Sequence, residues 1–201
     1  IEKLDLKFVV LTSPNRDDLK DEGSGHYAHV IQSIQKKHPE VKVEVLIPDF
    51  KGKKDCLEKV VSAKPDVINH NIETVPSLYK TVRKGSLYKR SLGLLENIKA
   101  MNSNILSKSG VMVGLGETKD ELIALFKDLK ETGIDILTIG QYLNPDKKSI
   151  DVARYYHPDE FEELKEIAEE IGIRYVFSGP LVRSSYLAEH VFEDLNKVGG
   201  L

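Results

Sequence analysis

The sequence predicts an α/β fold, a full or partial barrel of parallel strands with helices outside it. Two observations predict this. Short β-branched runs alternate with longer amphipathic stretches along the chain, and polar residues and glycines gather after nearly every short run. Such alternation requires parallel strands joined by right-handed crossovers. An open sheet concentrates its functional loops at one switch point, whereas a barrel spreads them around one rim, and the spread pattern favours the barrel. No internal repeat or linker divides the 201 residues, so a single domain over 1–201 is expected.

Strands are expected at residues 7–11, 42–47, 67–70, 111–114, 136–139 and 174–177. Helical spacing places Ala28, Ile31 and Ile34 on one face of a helix over 27–37, and residues 55–63 repeat that pattern. A longer helical stretch begins near Leu87. Thr118 is a good N-cap with acids in the turn after it, which predicts a helix over 119–132 stopped by Gly133. Pro158 opens the last helix, and Gly172 ends it after about Ile171.

Composition excludes several classes. A net charge of -3 gives no global field to recruit nucleic acid or an anionic membrane. Local basic clusters such as 51–54 read as solvated surface. No apolar run approaches the roughly 20 residues that span a bilayer, and no signal-peptide pattern is present. One cysteine, Cys56, excludes an internal disulfide, points to a reducing compartment, and excludes a zinc or iron–sulfur site built from this chain's own thiolates. It is expected to be a partly buried thiol at a helix start.

The chemistry is expected at the C-terminal strand ends, which read TSPNRDD (12–18), PDF (48–50), NHNIET (69–74), GLGET (114–118), GQYLNP (140–145) and SGPLVRSSY (178–186). These amides, hydroxyls and glycines suit a polar, nucleoside-like or amino-acid-like ligand. Each has a plainer reading. Thr12 and Ser13 also fit a turn and helix start. Asn69 and Asn71 at a buried strand end need partners, and His70 between them fits a structural histidine on the opposite face. Gly110, Gly114 and Gly116 let a ligand approach the backbone, or the segment is simply a strand, a tight turn and a helix cap. Lys108 reads either as a snorkelling surface residue or as an anion contact. The pair Ser184 and Ser185 fits a helix cap as readily as a site.

Taken together, VVLTSPNRDDL, GSGHYA, KVEVLIPDF, PDVINHNIETV, SKSGVMVGLGET, LTIGQYLNP and GPLVRSSYLA resemble, in order and over nearly the whole chain, the lipoyl synthases of the radical S-adenosylmethionine (SAM) superfamily. The resemblance implies a partial (β/α)6 TIM-like barrel with the first strand missing from this chain. It implies that Ser185 is an oxygen ligand to an auxiliary [4Fe–4S] cluster, with Arg183 and Ser184 setting the turn. A serine oxygen is harder and more easily displaced than a thiolate, which suits a cluster dismantled as a sulfur donor. It places Thr12 and Ser13 at the amino end of SAM. Asn69, Asn71 and Glu73 fall at its ribose and polar groups. Gly114, Gly116, Glu117, Gln141, Tyr142 and Leu143 fall near the adenine, with Lys108 as a further contact.

The family's two cysteine triplets, C-x3-C-x2-C and C-x4-C-x5-C, are absent from this chain. Pro14, Asn15, Lys20 and Glu22 also depart from the residues expected after the first strand. The chain is therefore expected to be part of a longer enzyme and inactive alone, although a natural remnant or a second polypeptide bearing the cysteines would also fit. For the intact protein the resemblance implies insertion of two sulfur atoms into a protein-bound octanoyl group, using SAM and two [4Fe–4S] clusters. Implied partners are octanoylated lipoyl-carrier domains or acyl carrier protein, and an electron donor such as ferredoxin or flavodoxin. The implied location is cytoplasmic, or mitochondrial or plastid in a eukaryote. Two rival readings remain from the residues themselves. One is a module that only binds a carrier. The other is a metal-independent barrel lyase or isomerase using Lys108, Glu73 or His70.

Overall fold

The computed structural model describes residues 1–185. Six parallel strands lie in chain order: β1 (Phe8–Thr12), β2 (Lys42–Leu46), β3 (Val67–Asn69), β4 (Leu106–Val113), β5 (Ile136–Gln141) and β6 (Tyr175–Gly179). Each is hydrogen-bonded to its neighbours in sequence. β1 and β6 do not pair with one another, so the sheet curls into a partial barrel with two open edges. The first edge has a physical signature. Phe8 to Leu11 are only half-buried, whereas all three residues of β3 and all six of β5 are buried.

Helices α1 (Ser24–Lys37), α2 (Lys54–Ser62), α3 (Tyr79–Val82), α4 (Tyr88–Met101), α5 (Lys119–Glu131) and α6 (Pro158–Glu170) join the strands. Their ends follow the sequence signals. Thr118 Oγ1 accepts from the Glu121 amide while the Glu121 carboxylate accepts from the Thr118 amide, a reciprocal capping box with acids against the positive end of the helix. Pro158 opens α6, and Glu160 accepts from the His157 amide. α1 starts three residues before the expected Tyr27. Gly23 turns left-handed there, and the Asp21 carboxylate accepts from the amides of Gly23 and Gly25 at 3.2 and 3.0 Å.

The apolar faces of these helices meet one side of the sheet. Leu95 and Ile98 of α4, Leu125 and Phe126 of α5 and Phe161 of α6 pack with Val45, Ile68, Val113, Leu137 and Ile139. Burying each such side chain contributes about 1.5–3 kcal/mol. Residues on the other face of the strands turn inward, and that concave face is polar. β4 begins five residues before the expected Val111. Its polar start is buried and satisfied: the Asp135 carboxylate accepts from the Ser107 amide, and Ser109 Oγ accepts from the Ile72 amide. Cys56 is fully buried on α2 rather than partly so.

Candidate functional site

A cavity of about 310 Å³ opens at the C-terminal ends of β3 to β6. Asn71 and Glu73 form one wall, and Gly110 and Met112 of β4 with Thr138 of β5 form its base. The Gln141 to Leu143 turn and Arg183 with Ser184 close the other side.

Glu73 has the most distinctive backbone here. Its φ of +70° is left-handed, which costs a non-glycine residue strain. It is held there from both sides. Its amide donates to Gly110 O at 2.9 Å, and its carbonyl accepts from the Met112 amide at 2.8 Å. This bridge to β4 fixes the carboxylate at the cavity wall. Burial pushes the Glu73 carboxyl above its ordinary range, while the Arg83 cation and the Asn71 amide pull it partly back. Beside it, Asn71 Oδ1 is buried without a hydrogen-bond partner among the described residues. An orphan acceptor in a cavity wall is where a ligand N–H or O–H belongs. Gly110 keeps this corner open. A Cβ there would lie 2.8 Å from Thr138 Oγ1 and 2.9 Å from Asn71 Oδ1.

Below the cavity, Lys108 Nζ meets Glu44 Oε2 at 3.0 Å, both side chains 1% exposed, and Asn69 Nδ2 donates to Glu44 Oε1 at 3.2 Å. This cluster ties β2, β3 and β4 together inside the barrel. Lys108 is thus neither a surface residue nor a rim contact; its ammonium is taken by a carboxylate on the next strand but one. Burial also raises the Glu44 pKa, with Lys108 and Asn69 opposing that shift. His70 faces the other way, as the alternation of a strand requires. Its Nδ1 meets Ile47 O and its Nε2 meets Ser91 Oγ, each at 2.9 Å, and burial lowers its pKa to about 4. Of the three acid–base candidates of the rival lyase reading, Lys108 and His70 are committed on opposite faces, and Glu73 alone reaches the cavity.

The GLGET turn is braced from within. Both Glu117 oxygens are used, accepting from the amides of Gly114 at 2.7 Å and Leu115 at 2.9 Å and from Tyr156 OH at 2.8 Å. Gln141 donates to three carbonyls, those of Val113, Tyr142 and Arg154, and accepts from the Tyr156 amide. A side chain on Gly114 would collide with the Gln141 amide. These two motifs thus hold one another through the 153–156 strap, and Gly114, Gly116 and Glu117 shape the rim next to the cavity rather than lining it.

Of the residues singled out from sequence, the cavity gathers Asn71, Glu73, Gln141, Tyr142, Leu143 and Arg183. Asn69 and Lys108 do not line it; they belong to the buried cluster with Glu44. Thr12 and Ser13 line a second hollow, between β1 and α1 with Arg16, Leu19 and Tyr27. Ser185 is exposed in the turn beyond Arg183, and Tyr186 lies outside the described residues. Sequence reasoning missed Glu44 and Thr138, whereas Gly110, expected to let a ligand approach the backbone, lines the cavity. A lone carboxylate inside the apolar run KVEVL was the available signal for Glu44. Gly140 explains how the RSS segment joins the site. A side chain there would collide with the Val182 carbonyl, so only glycine lets that segment cross the barrel mouth.

The model for the radical SAM superfamily matches residues 1–129. The chain superposes on a methylornithine synthase with a TM-score of 0.63 at 14% identity, covering 96% of this chain and 67% of that one. A Streptococcus suis SuiB structure bound to S-adenosylmethionine gives 0.62 at 12% identity, covering 85% of this chain and 38% of the other. This protein belongs to the radical SAM superfamily. Sequence comparison narrows the assignment. The chain is 54% identical over 94% of its length to a lipoyl synthase of Caldicellulosiruptor saccharolyticus, of which it covers 66%. It is 53% identical over 97% of its length to that of Caldicellulosiruptor bescii, of which it covers 68%. Within the superfamily the chain belongs to the lipoyl synthases, and it spans about two thirds of the length of these curated relatives.

The residues fit one of the family's cofactors and not the other. The orphan Asn71 acceptor, the Glu73 carboxylate and the glycine-kept corner suit a nucleoside with hydroxyl and amino donors. A [4Fe–4S] cluster has no holder here: Cys56 is buried on α2, and no group of three His, Cys, Asp or Glu side chains among the described residues could bind a metal. Among the described residues no helix is long and apolar enough to cross a membrane.

Proposed function

We propose that this chain is the SAM-binding barrel of a lipoyl synthase whose full-length form inserts two sulfur atoms into a protein-bound octanoyl group. SAM, reductively cleaved, supplies the carbon-centred radical that removes hydrogen from unactivated carbons. The barrel's own residues bind, orient and exclude water. Asn71 Oδ1 accepts from a ribose or amino donor, and Glu73, fixed by its strained backbone, accepts a second. Gly110 admits the flat face of the nucleoside, and the Gln141 to Leu143 turn walls it from solvent. Thr12 and Ser13, in the hollow between β1 and α1, take the amino-acid end. Thiolates for two clusters have to come from residues beyond this sequence, and Ser185 is the oxygen this chain offers to one of them. The partners are an octanoylated lipoyl-carrier domain or acyl carrier protein and a low-potential donor such as ferredoxin or flavodoxin.

One observation carries the proposal. Arg183 and Ser184 of the C-terminal motif line the same cavity as Asn71 and Glu73, which supports a reading in which cofactor binding and sulfur delivery use one space. The test is the SAM dissociation constant of full-length, cluster-reconstituted protein carrying Asn71→Ala or Glu73→Gln. Each substitution is expected to weaken binding roughly tenfold, as for a lost hydrogen bond to a buried partner. Unchanged affinity in both removes these residues from the site.

A further inference from the structure

Charge in this chain is strongly segregated. Residues 48–54 and 76–95 hold eight of its 29 lysines and arginines but only one of its 32 acids, Asp49. The remainder holds 21 bases against 31 acids, so a chain of net charge -3 carries a concentrated basic face.

The two segments follow β2 and β3, the first running to the start of α2 and the second comprising α3, the turn after it and the first half of α4. They are joined to each other. Arg90 Nη2 meets Asp49 Oδ2 at 2.6 Å, and Arg90 shares a surface groove with Lys53 and Lys54. They are also joined to the cavity. Arg83 donates to the carbonyl of Asn71 at 2.7 Å and to Tyr79 OH at 3.1 Å, so the turn between α3 and α4 is anchored to the cavity wall. Around that turn Lys80, Lys84 and Lys89 are exposed, and with Lys54 they make no ion pair among the described residues. Leu87, 59% exposed, stands among them. Asp49 is spent on Arg90, and Asp17 and Glu22, which reach this face from the loop before α1, are spent on Lys51 and Lys53. Asp55 and Glu58 of α2 lie beyond Lys54 at the margin.

We propose that this basic turn is the docking surface for the carrier protein, and that it recognises an acidic patch around the acylated lysine. The inference rests on the sulfur-insertion reading of the cavity. Free ammonium groups around an exposed leucine steer and orient an acidic protein surface. Anchorage through Arg83 then places the docked carrier's acyl arm beside the cavity mouth. The acidic remainder of the chain turns the carrier away elsewhere, which makes the surface selective as well as attractive.

The experiment uses full-length, cluster-reconstituted protein, wild type and the K80E/K84E/K89E variant. Each is given two substrates: an octanoylated lipoyl-carrier domain of net negative charge and a short uncharged peptide bearing octanoyl-lysine. The variant is expected to raise KM for the carrier about tenfold at low salt with kcat unchanged. That difference should largely vanish at about 0.5 M salt, where screening is nearly complete. The peptide should be processed equally by both proteins. An unchanged carrier KM overturns the proposal, as does an equal loss on the peptide, which would mean damage to the site. Loss of binding to anionic vesicles or an oligonucleotide with carrier KM unaffected also overturns it and assigns the face to that partner. If wild type modifies neither substrate, the sulfur-insertion reading itself fails.

Discussion

Replacing Lys108 by methionine removes one member of the buried pair beneath the cavity while nearly conserving its volume. The two charges lie 3.0 Å apart and are 1% exposed, so their attraction is about 5.5 kcal/mol at an effective dielectric constant near 20. Desolvation of each ion costs several kcal/mol, so the intact pair contributes little net stability. The single variant is another matter. Glu44 would keep only the Asn69 N–H at 3.2 Å, an uncompensated buried carboxylate. The expected loss is about 3–5 kcal/mol, which lowers the melting midpoint of a chain this size by roughly 10 °C. The deficit has a definite pH dependence. Burial raises the folded-state pKa of Glu44. The folded variant therefore holds a proton that the unfolded chain releases, and its stability falls as pH rises above the ordinary glutamate range. The double variant Glu44→Gln/Lys108→Met leaves a neutral floor that can still hydrogen-bond Asn69, and should recover most of the loss. Urea unfolding of the four proteins measures this. A cost below about 1 kcal/mol for Lys108→Met, or a double variant as unstable as the two singles summed, would refute the reasoning.

Three further outcomes follow from the same contacts. His70 is held neutral with its pKa lowered from 6.5 to about 4, so the unfolded state alone takes up a proton between those values; acidification across that window should remove about 3 kcal/mol of stability, and His70→Gln should flatten that part of the curve. Gly110→Ala should push Asn71 and Thr138 apart, weakening SAM binding about tenfold while costing about 1–3 kcal/mol of stability; titration calorimetry on the full-length protein checks the first, and unchanged affinity counts against the glycine-kept corner. Glu117→Gln puts an amide N–H where two backbone amides and a tyrosine hydroxyl all donate, and should cost about 1–3 kcal/mol, read by thermal unfolding.

The outer helices were legible because their ends carry local chemistry. Thr118 with Glu121, and Pro158 with Glu160, set boundaries that need no tertiary information. The strand register was harder where the inside of the barrel is polar. Ser107, Lys108 and Ser109 look like a loop in the sequence and are instead buried strand. Their partners, Asp135, Glu44 and the Ile72 amide, come from distant segments. The same distance hid Glu44 from view. Asn71 and Glu73 were found because amides and acids cluster after a strand, but the left-handed Glu73 backbone depends on a bridge to Gly110 and Met112 that no spacing reveals. Glu117 and Gln141 drew attention as ligand contacts because they are polar and follow glycines. Glu117 braces its own turn and Tyr156, and Gln141 ties Val113 to the 153–156 strap while also lining the cavity, bracing that only three-dimensional packing reveals.

The most direct test of the central claim is the mass of an octanoylated lipoyl-carrier domain after incubation with the full-length, cluster-reconstituted protein, SAM and a reductant. The account predicts a gain of two sulfur atoms on the octanoyl group, slowed about fivefold in the Glu73→Gln variant at a SAM concentration near the wild-type dissociation constant. A carrier of unchanged mass while SAM is consumed would contradict it.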